Sequence, residues 1–186
     1  TLNNFNSHFI GHPTKKVLGI EHNTGALGHG LSVAVGMALG LKMDQKKHQV
    51  YALLGDGELS EGSVWEAAMT ASKYELENLT AIIDRNRLQI TGSTEEVNPI
   101  EPLQDKFLSF GFNVIEVKGN DIASLVEVFQ KPKKEKNKPN LIIANTIKGA
   151  GISFMENQVS WHHKVPSQSE YDLAIHELNE AFENVQ

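Results

Sequence analysis

At 186 residues the chain is long enough for one domain with a sizeable core, and its 40% hydrophobic and 22% charged content is that of an ordinary globular protein. The net charge of −6 argues against a nucleic-acid partner, and the absence of cysteine excludes disulfides, thiolate catalysis and cysteine zinc sites while fitting a reducing, cytoplasmic compartment. The apolar stretch around Leu31 to Leu41 is glycine-interrupted and too short to span a bilayer, and an opening at Thr1 without Met leads us to expect a missing N-terminal segment.

From Thr1 to Gly25 the chain is polar and glycine-punctuated. Gly11-His12-Pro13 is a turn, because proline biases His12 to extended backbone; spacing alone makes His12 a surface loop histidine. Glycines at 25, 28 and 30 precede a helix predicted from Leu31 to Met43, where helix N–H groups can meet an anion, although the order is not that of a dinucleotide loop. Gly36 and Gly40 inside this helix more simply suggest close packing against a neighbour.

Val50 to Leu54 reads as a strand that breaks at Gly55-Asp56-Gly57. The next segment is helical, with Trp65, Ala68, Met69 and Ala71 on one side and Ser60 or Ser63 as N-cap; Ser63 with Glu66 fits a capping box. Leu79 to Ile83 is a second strand, breaking at Asp84-Arg85-Asn86. This is one βαβ unit, with Asp56 and Asn86 each just past the carboxyl end of a strand, where open parallel sheets bind ligands. Asp-Gly is also a common hairpin signal, but the helix after Gly57 disfavours a return strand. A carboxylate and an amide oxygen at one sheet edge are hard ligands, suited to a small divalent cation that also holds a phosphate. Glu61 reads in isolation as a first-turn acid that favours the helix dipole.

Ser93 to Pro102 is turn-rich and reads as a loop. Leu103 to Phe110 is a short helix, Asn113 to Val117 a strand, and Asp121 to Gln130 an N-capped amphipathic helix. The run Lys131 to Lys138 contains Glu135 and reads as a solvated connection rather than a basic patch. Leu141 to Asn145 has the β-branched, apolar character of a parallel core strand. Directly after it, Lys148 and Gly149 bring a cation and a flexible turn to the strand end; a lone lysine there is ordinarily solvated. His162 and His163 lie in a loop before a final helix, Ser167 to Glu183, and adjacent side chains in an extended loop do not converge on one ion.

These residues resemble the transketolase family. The stretch from Gly55 through Glu58, Glu61 and Trp65 to Ala67, followed by Asp84-Arg85-Asn86-Arg87-Leu88, is similar to its thiamine-diphosphate motif. The resemblance implies an α/β fold, an open and mainly parallel sheet with helices on both faces. It implies thiamine diphosphate and Mg2+ as cofactors, with Ca2+ or Mn2+ able to substitute. Asp56, the Asn86 side chain and the Leu88 carbonyl would hold the metal, and Gly57 and Glu58 would contact the cofactor. Ser7 to Pro13 resembles the segment whose Gly-His-Pro histidine, here His12, reaches the substrate's hydroxyls. Thr24 to Gly28 resembles the stretch packing on the cofactor's ring side, which assigns Gly25, Ala26 and Leu27 to the cofactor; the family more often has Ser or Pro at Ala26. Glu61 would link active sites across a subunit interface. Lys148, in a Thr-x-Lys-Gly wording, would contact the cofactor. His162, in Ser-Trp-His, would lie near the diphosphate and the reacting carbonyl, with His163 as the alternative for that role. The resemblance assigns no role to His8 or His29.

The implied activity is transfer of a two-carbon ketol unit from a ketose phosphate to an aldose acceptor, with the cofactor as electron sink and His12 and His162 orienting hydroxyls and moving protons. Nothing in the chain resembles the pyrimidine-binding module that completes such a site. The expectation is therefore a single diphosphate-binding module, residues 1–186, of a split transketolase, active only with a pyrimidine-domain partner subunit in a heterotetramer, and with no membrane or nucleic-acid partner. The alternatives are another thiamine-diphosphate carboligase for an unusual sugar or secondary metabolite, and a catalytically silent phosphate-binding α/β module.

Overall fold

The computed structural model describes residues 1–130 and 136–183, so the reading of Lys131 to Lys138 falls largely outside the described residues. The elements follow in the order α1 (Gly30–Met43), β1 (Val50–Gly55), a 3-10 turn (Gly57–Ser60), α2 (Gly62–Lys73), β2 (Leu79–Arg85), β3 (Leu88–Gln89), β4 (Gly92–Ser93) and α3 (Thr94–Val97). Then come α4 (Leu103–Ser109), β5 (Asn113–Lys118), α5 (Ile122–Gln130), β6 (Asn140–Asn145), a second 3-10 turn (Val159–His162) and α6 (Gln168–Glu183).

Four strands form one sheet in the order β1-β2-β6-β5, and every pairing is parallel. The hairpin reading of Asp-Gly is thereby excluded, because β1 runs alongside β2 through a helical crossover. Alternation along β6 shows how the sheet is covered. Leu141 and Ile143 join the larger core beneath α1, α2 and α4, while Ile142 and Ala144 join a smaller one with Leu125 and Val128 of α5. Helices therefore lie on both faces, and β6, between two neighbours, is apolar on both sides as a central parallel strand must be. At the edge, β1 buries only Ala52 and Leu54, and Leu53 on the opposite face is 74% exposed.

Several local expectations are revised. Strand β2 runs on through Asp84 and Arg85, because both keep pairing with β6, opposite Ala144 and Asn145. The Ser63 capping box does not form. Glu61 is the N-cap of α2 without a side-chain bond, and the Ser63 hydroxyl instead donates to the Gly28 carbonyl at 2.8 Å. A capping box does occur where a loop was expected, with Ser93 and Glu96 opening the short helix α3 after the β3–β4 hairpin. Met69 lies outside the buried stripe of α2, which is Val64, Ala67, Ala68 and Ala71. Gly36 and Gly40 are exposed, with no described atom within 4 Å of where a Cβ would stand, so no neighbour among the described residues packs on them. By contrast, Asp121 caps α5 as expected, its carboxylate accepting from the Ala123 and Ser124 N–H groups.

Parallel register places all four carboxyl ends on one edge. Gly55 lies opposite Asp84, and Arg85 and Lys118 both lie opposite Asn145. The sequence runs that follow these residues therefore emerge together.

Candidate functional site

Asp56 is 1% exposed, yet it stands at the strand-end edge. Its Oδ1 accepts the Gly57 N–H at 2.8 Å, and its Oδ2 accepts the Arg87 N–H at 2.5 Å and Arg85 Nη1 at 2.9 Å. The carboxylate thus sits against the turn that carries Asn86 and Leu88. Asn86 folds its amide oxygen onto the Leu88 N–H at 3.0 Å, an Asx-type turn. Arg87 completes this geometry by adopting φ 68, a left-handed conformation rare for a residue with a Cβ. Strain of this kind collects at functional sites, because surrounding bonds must over-determine it.

Glu58 plays a part that sequence reasoning did not assign. Its Oε1 accepts the Gly28 N–H at 2.9 Å and its Oε2 accepts the Gly55 N–H at 3.1 Å. One side chain therefore ties the glycine loop ahead of α1 to the end of β1. With both oxygens taken by backbone, Glu58 acts as a clamp between loops. Gly28 itself is buried with φ +80, and an added Cβ would come within 2.7 Å of Ser63 Oγ and 2.8 Å of Glu61 Cβ. Glu61, exposed as a residue, thus presses its stem on Gly28.

His12 is drawn to the same loop, since a Cβ at Gly25 would stand 2.6 Å from its Cδ2. Ala26 and Leu27 are exposed beside it, and the Leu27 carbonyl bonds His29 Nδ1 at 3.0 Å. Gly57 faces Gln89, whose Cβ would be 2.9 Å from a methyl there. His8 lies apart from these contacts, in a hollow with Lys15, Lys16 and Asn23.

Lys148 lies near enough to His162 for its charge to act on the imidazole. Burial, the Lys148 charge and the neighbouring His163 all lower the His162 pKa, so its imidazole stays neutral at physiological pH. The two histidine rings meet edge to face, 4.6 Å apart. His162 closes a 3-10 turn where an extended loop was expected, with His163 just past its end, and β3 packs against that turn, which links His162 to the Asn86–Leu88 turn. Among the described residues no cluster of three or more His, Cys, Asp or Glu suits a metal. We expect Lys148→Met to raise the His162 pKa, since it removes a like charge; proton NMR titration of the ring checks this.

The residue most plainly missed by sequence reasoning is Arg85. It is 1% exposed and donates to Asp56, Thr94, Glu95 and Glu101. Burial alone would lower its pKa, but the bonds to Glu101 and Asp56 outweigh that and hold it above the ordinary arginine value. A charged residue between a strand and a turn gave no sequence signal of this burial.

As a donor set, the Asp56 carboxylate, the Asn86 amide and the Leu88 carbonyl are all hard oxygens, the chemistry Mg2+ requires. Oδ1 of Asp56 keeps a lone pair beyond its bond to Gly57, so the arrangement fits a cation there.

The family model described as "Transketolase, thiamine diphosphate binding domain" matches residues 1–178. Over all 186 residues the chain is 49% identical to one of the subunits of the apulose-4-phosphate transketolase of Phocaeicola vulgatus, spanning 66% of it. It is 42% identical over 164 residues to "6-deoxy-6-sulfo-D-fructose transketolase subunit SqwG" of a Clostridium species, covering 88% of this chain and 60% of that one. Among solved structures, the transketolase of Campylobacter jejuni superposes with a TM-score of 0.88 at 31% identity, over 96% of this chain and 29% of that one. The chain thus spans 66% and 65% of the two apulose-4-phosphate transketolase subunits it matches and 60% of the Clostridium relative, less than two thirds of each. No described helix is long and apolar enough to cross a membrane.

Proposed function

The chain belongs to the transketolase family, in which it forms a thiamine diphosphate binding domain, and on that premise we propose that it is the diphosphate-binding subunit of a split transketolase. The activity is transfer of a two-carbon ketol unit from a ketose phosphate to an aldose acceptor. The observation that carries the reading is the buried Asp56 carboxylate held on the Asn86–Leu88 turn at the carboxyl edge of a parallel sheet. The naming of the relatives as subunits supports a separate partner chain, which would supply the pyrimidine-binding module.

Asp56, Asn86 and the Leu88 carbonyl would hold Mg2+ and, through it, the diphosphate; Gly57 and Lys148 would contact the diphosphate. Gly25, Ala26 and Leu27 would line the ring side. When bound, thiamine diphosphate supplies the electron sink for breaking and making a carbon–carbon bond. His12, on Gly25, would orient donor hydroxyls. His162, neutral beside Lys148, can accept or give a proton at its ring nitrogens near pH 7. Glu61 would meet a second copy of the chain across an interface. The names of two curated relatives favour an unusual sugar phosphate, of the apulose 4-phosphate kind, as donor.

Calorimetry with thiamine diphosphate, with and without Mg2+, tests cofactor binding; metal-independent binding would point instead to a catalytically silent phosphate module. We expect no ketose phosphate turnover by the purified chain with cofactor and Mg2+, and turnover once the partner chain is added. Full activity without the partner would refute the split assignment.

A further inference from the structure

A hollow of about 490 Å3 opens between the 3-10 turn after β1, α2 and α4, and no residue assigned above to cofactor, metal or substrate lines it. Its walls are apolar and fixed. Trp65 donates its Nε1 hydrogen to the Leu59 carbonyl at 2.9 Å and packs on Phe107, ring centres 5.3 Å apart. Phe110, just past the end of α4, meets the Trp65 ring at 5.9 Å and 47°. Leu59 and Ile100, both buried, complete the wall. With its one donor engaged, Trp65 offers the hollow only apolar surface and a π face.

Lys106 is the cation of this hollow. Half-buried, it donates to the Ile100 carbonyl at 2.7 Å, and its Nζ stands 5.9 Å from the Trp65 ring centroid. An ammonium carries three hydrogens, so two are left for a ligand. Among the described residues no carboxylate pairs with it, although the chain as a whole carries a net charge of −6. Ser60 and Asn98, exposed and joined at 3.1 Å, add polar atoms to the lining.

Apolar walls with a few polar groups, in a volume of roughly 300–1,000 Å3, are the make-up of small-molecule sites. The chemistry of the lining selects among ligands. A cation would be repelled by Lys106, a bare phosphate would leave the walls uncovered, and an aliphatic chain would leave the aromatic faces unused. We propose that the hollow is a binding site for a small aromatic carboxylate, its ring held on Trp65 and Phe110 and its anion on Lys106. The walls run directly into the Asp56 cluster: Leu59 follows Glu58, and Ile100 precedes Glu101, which accepts from Arg85 at 2.7 Å. An occupant therefore rests on the two segments that hold the Gly28 loop and the Arg85 guanidinium.

The test uses 2-naphthoate as probe and 2-naphthamide as its neutral counterpart, titrated into the whole chain by calorimetry. Wild type should bind the carboxylate with a dissociation constant of about 1 mM or below. The amide should bind about tenfold more weakly, the lower end of what a charge-assisted hydrogen bond contributes. Lys106→Met should weaken the carboxylate by a similar factor and leave the amide unchanged; if that variant does not fold, the two probes on wild type decide the matter. In proton–nitrogen NMR the Trp65 indole signal should move with ligand while that of Trp161 stays. Absence of binding at ten times that concentration, equal affinity for both probes, or a shift at Trp161 instead overturns the proposal. So does a Trp65 signal that follows protein concentration and not ligand, which would make the hollow a contact between copies of the chain.

Discussion

Asp56→Asn should reduce Mg2+ affinity in the presence of thiamine diphosphate by on the order of 100-fold or more, at or beyond the upper end of what outer-shell substitutions cost, because this change removes a ligand's charge. The amide cannot serve as the carboxylate does. Oδ1 accepts from Gly57 while Oδ2 accepts from Arg87 and Arg85, so whichever way Asn is turned its NH2 faces an N–H donor. One orientation opposes the Gly57 amide, the other the Arg87 amide and the guanidinium. Leaving a buried donor unsatisfied costs about 1–3 kcal/mol, so a moderate fall in stability should accompany the lost affinity. Mg2+ titration by calorimetry, beside urea denaturation, separates the two effects. Wild-type Mg2+ affinity in the variant would mean that the cation, if any, is held elsewhere.

Arg85→Met should destabilise the fold by about 3–5 kcal/mol, the range for removing one partner of a buried ion pair. Methionine fills much of the volume, so the loss is chiefly electrostatic. Asp56 is 1% exposed and would remain as a buried carboxylate without its counter-charge. Glu95 and Glu101 are about half exposed and can recover water, so they contribute little to the deficit. Thr94, also buried, loses its donor. The check is the urea midpoint against wild type with the slope compared. A variant as stable as wild type at neutral pH would show that Asp56 is satisfied without the guanidinium.

The second prediction turns on a residue that the sequence did not mark. Arg85 follows an acid, precedes an amide and lies at the end of an apolar run, where a charged side chain is ordinarily solvated. Its burial depends on β2 continuing two residues past Ile83, which hydrogen bonding to β6 decides and local propensity does not. Glu58 and Ser63 are of the same kind. Glu58 was expected as a cofactor contact and Ser63 as a helix cap; the structure shows each bonding the Gly28 loop from thirty or more residues away, and for Ser63 this replaces the cap. Gly36 and Gly40 show the converse, a small-residue pattern to which nothing among the described residues responds.

What the sequence determined alone is the alternation of apolar runs with helical periods, and with it a parallel α/β sheet and the family. Those features are local or nearly so: hydrophobic period, strand ends, and the wording around Asp56 and Asn86. What only the tertiary structure decided is which side chains serve which others: the Arg85 fork on Asp56, the Glu58 clamp, His12 on Gly25, and Lys148 beside His162. Such pairings join residues far apart in the chain, and their strength comes from shared burial, which exists only once the strands have set their register.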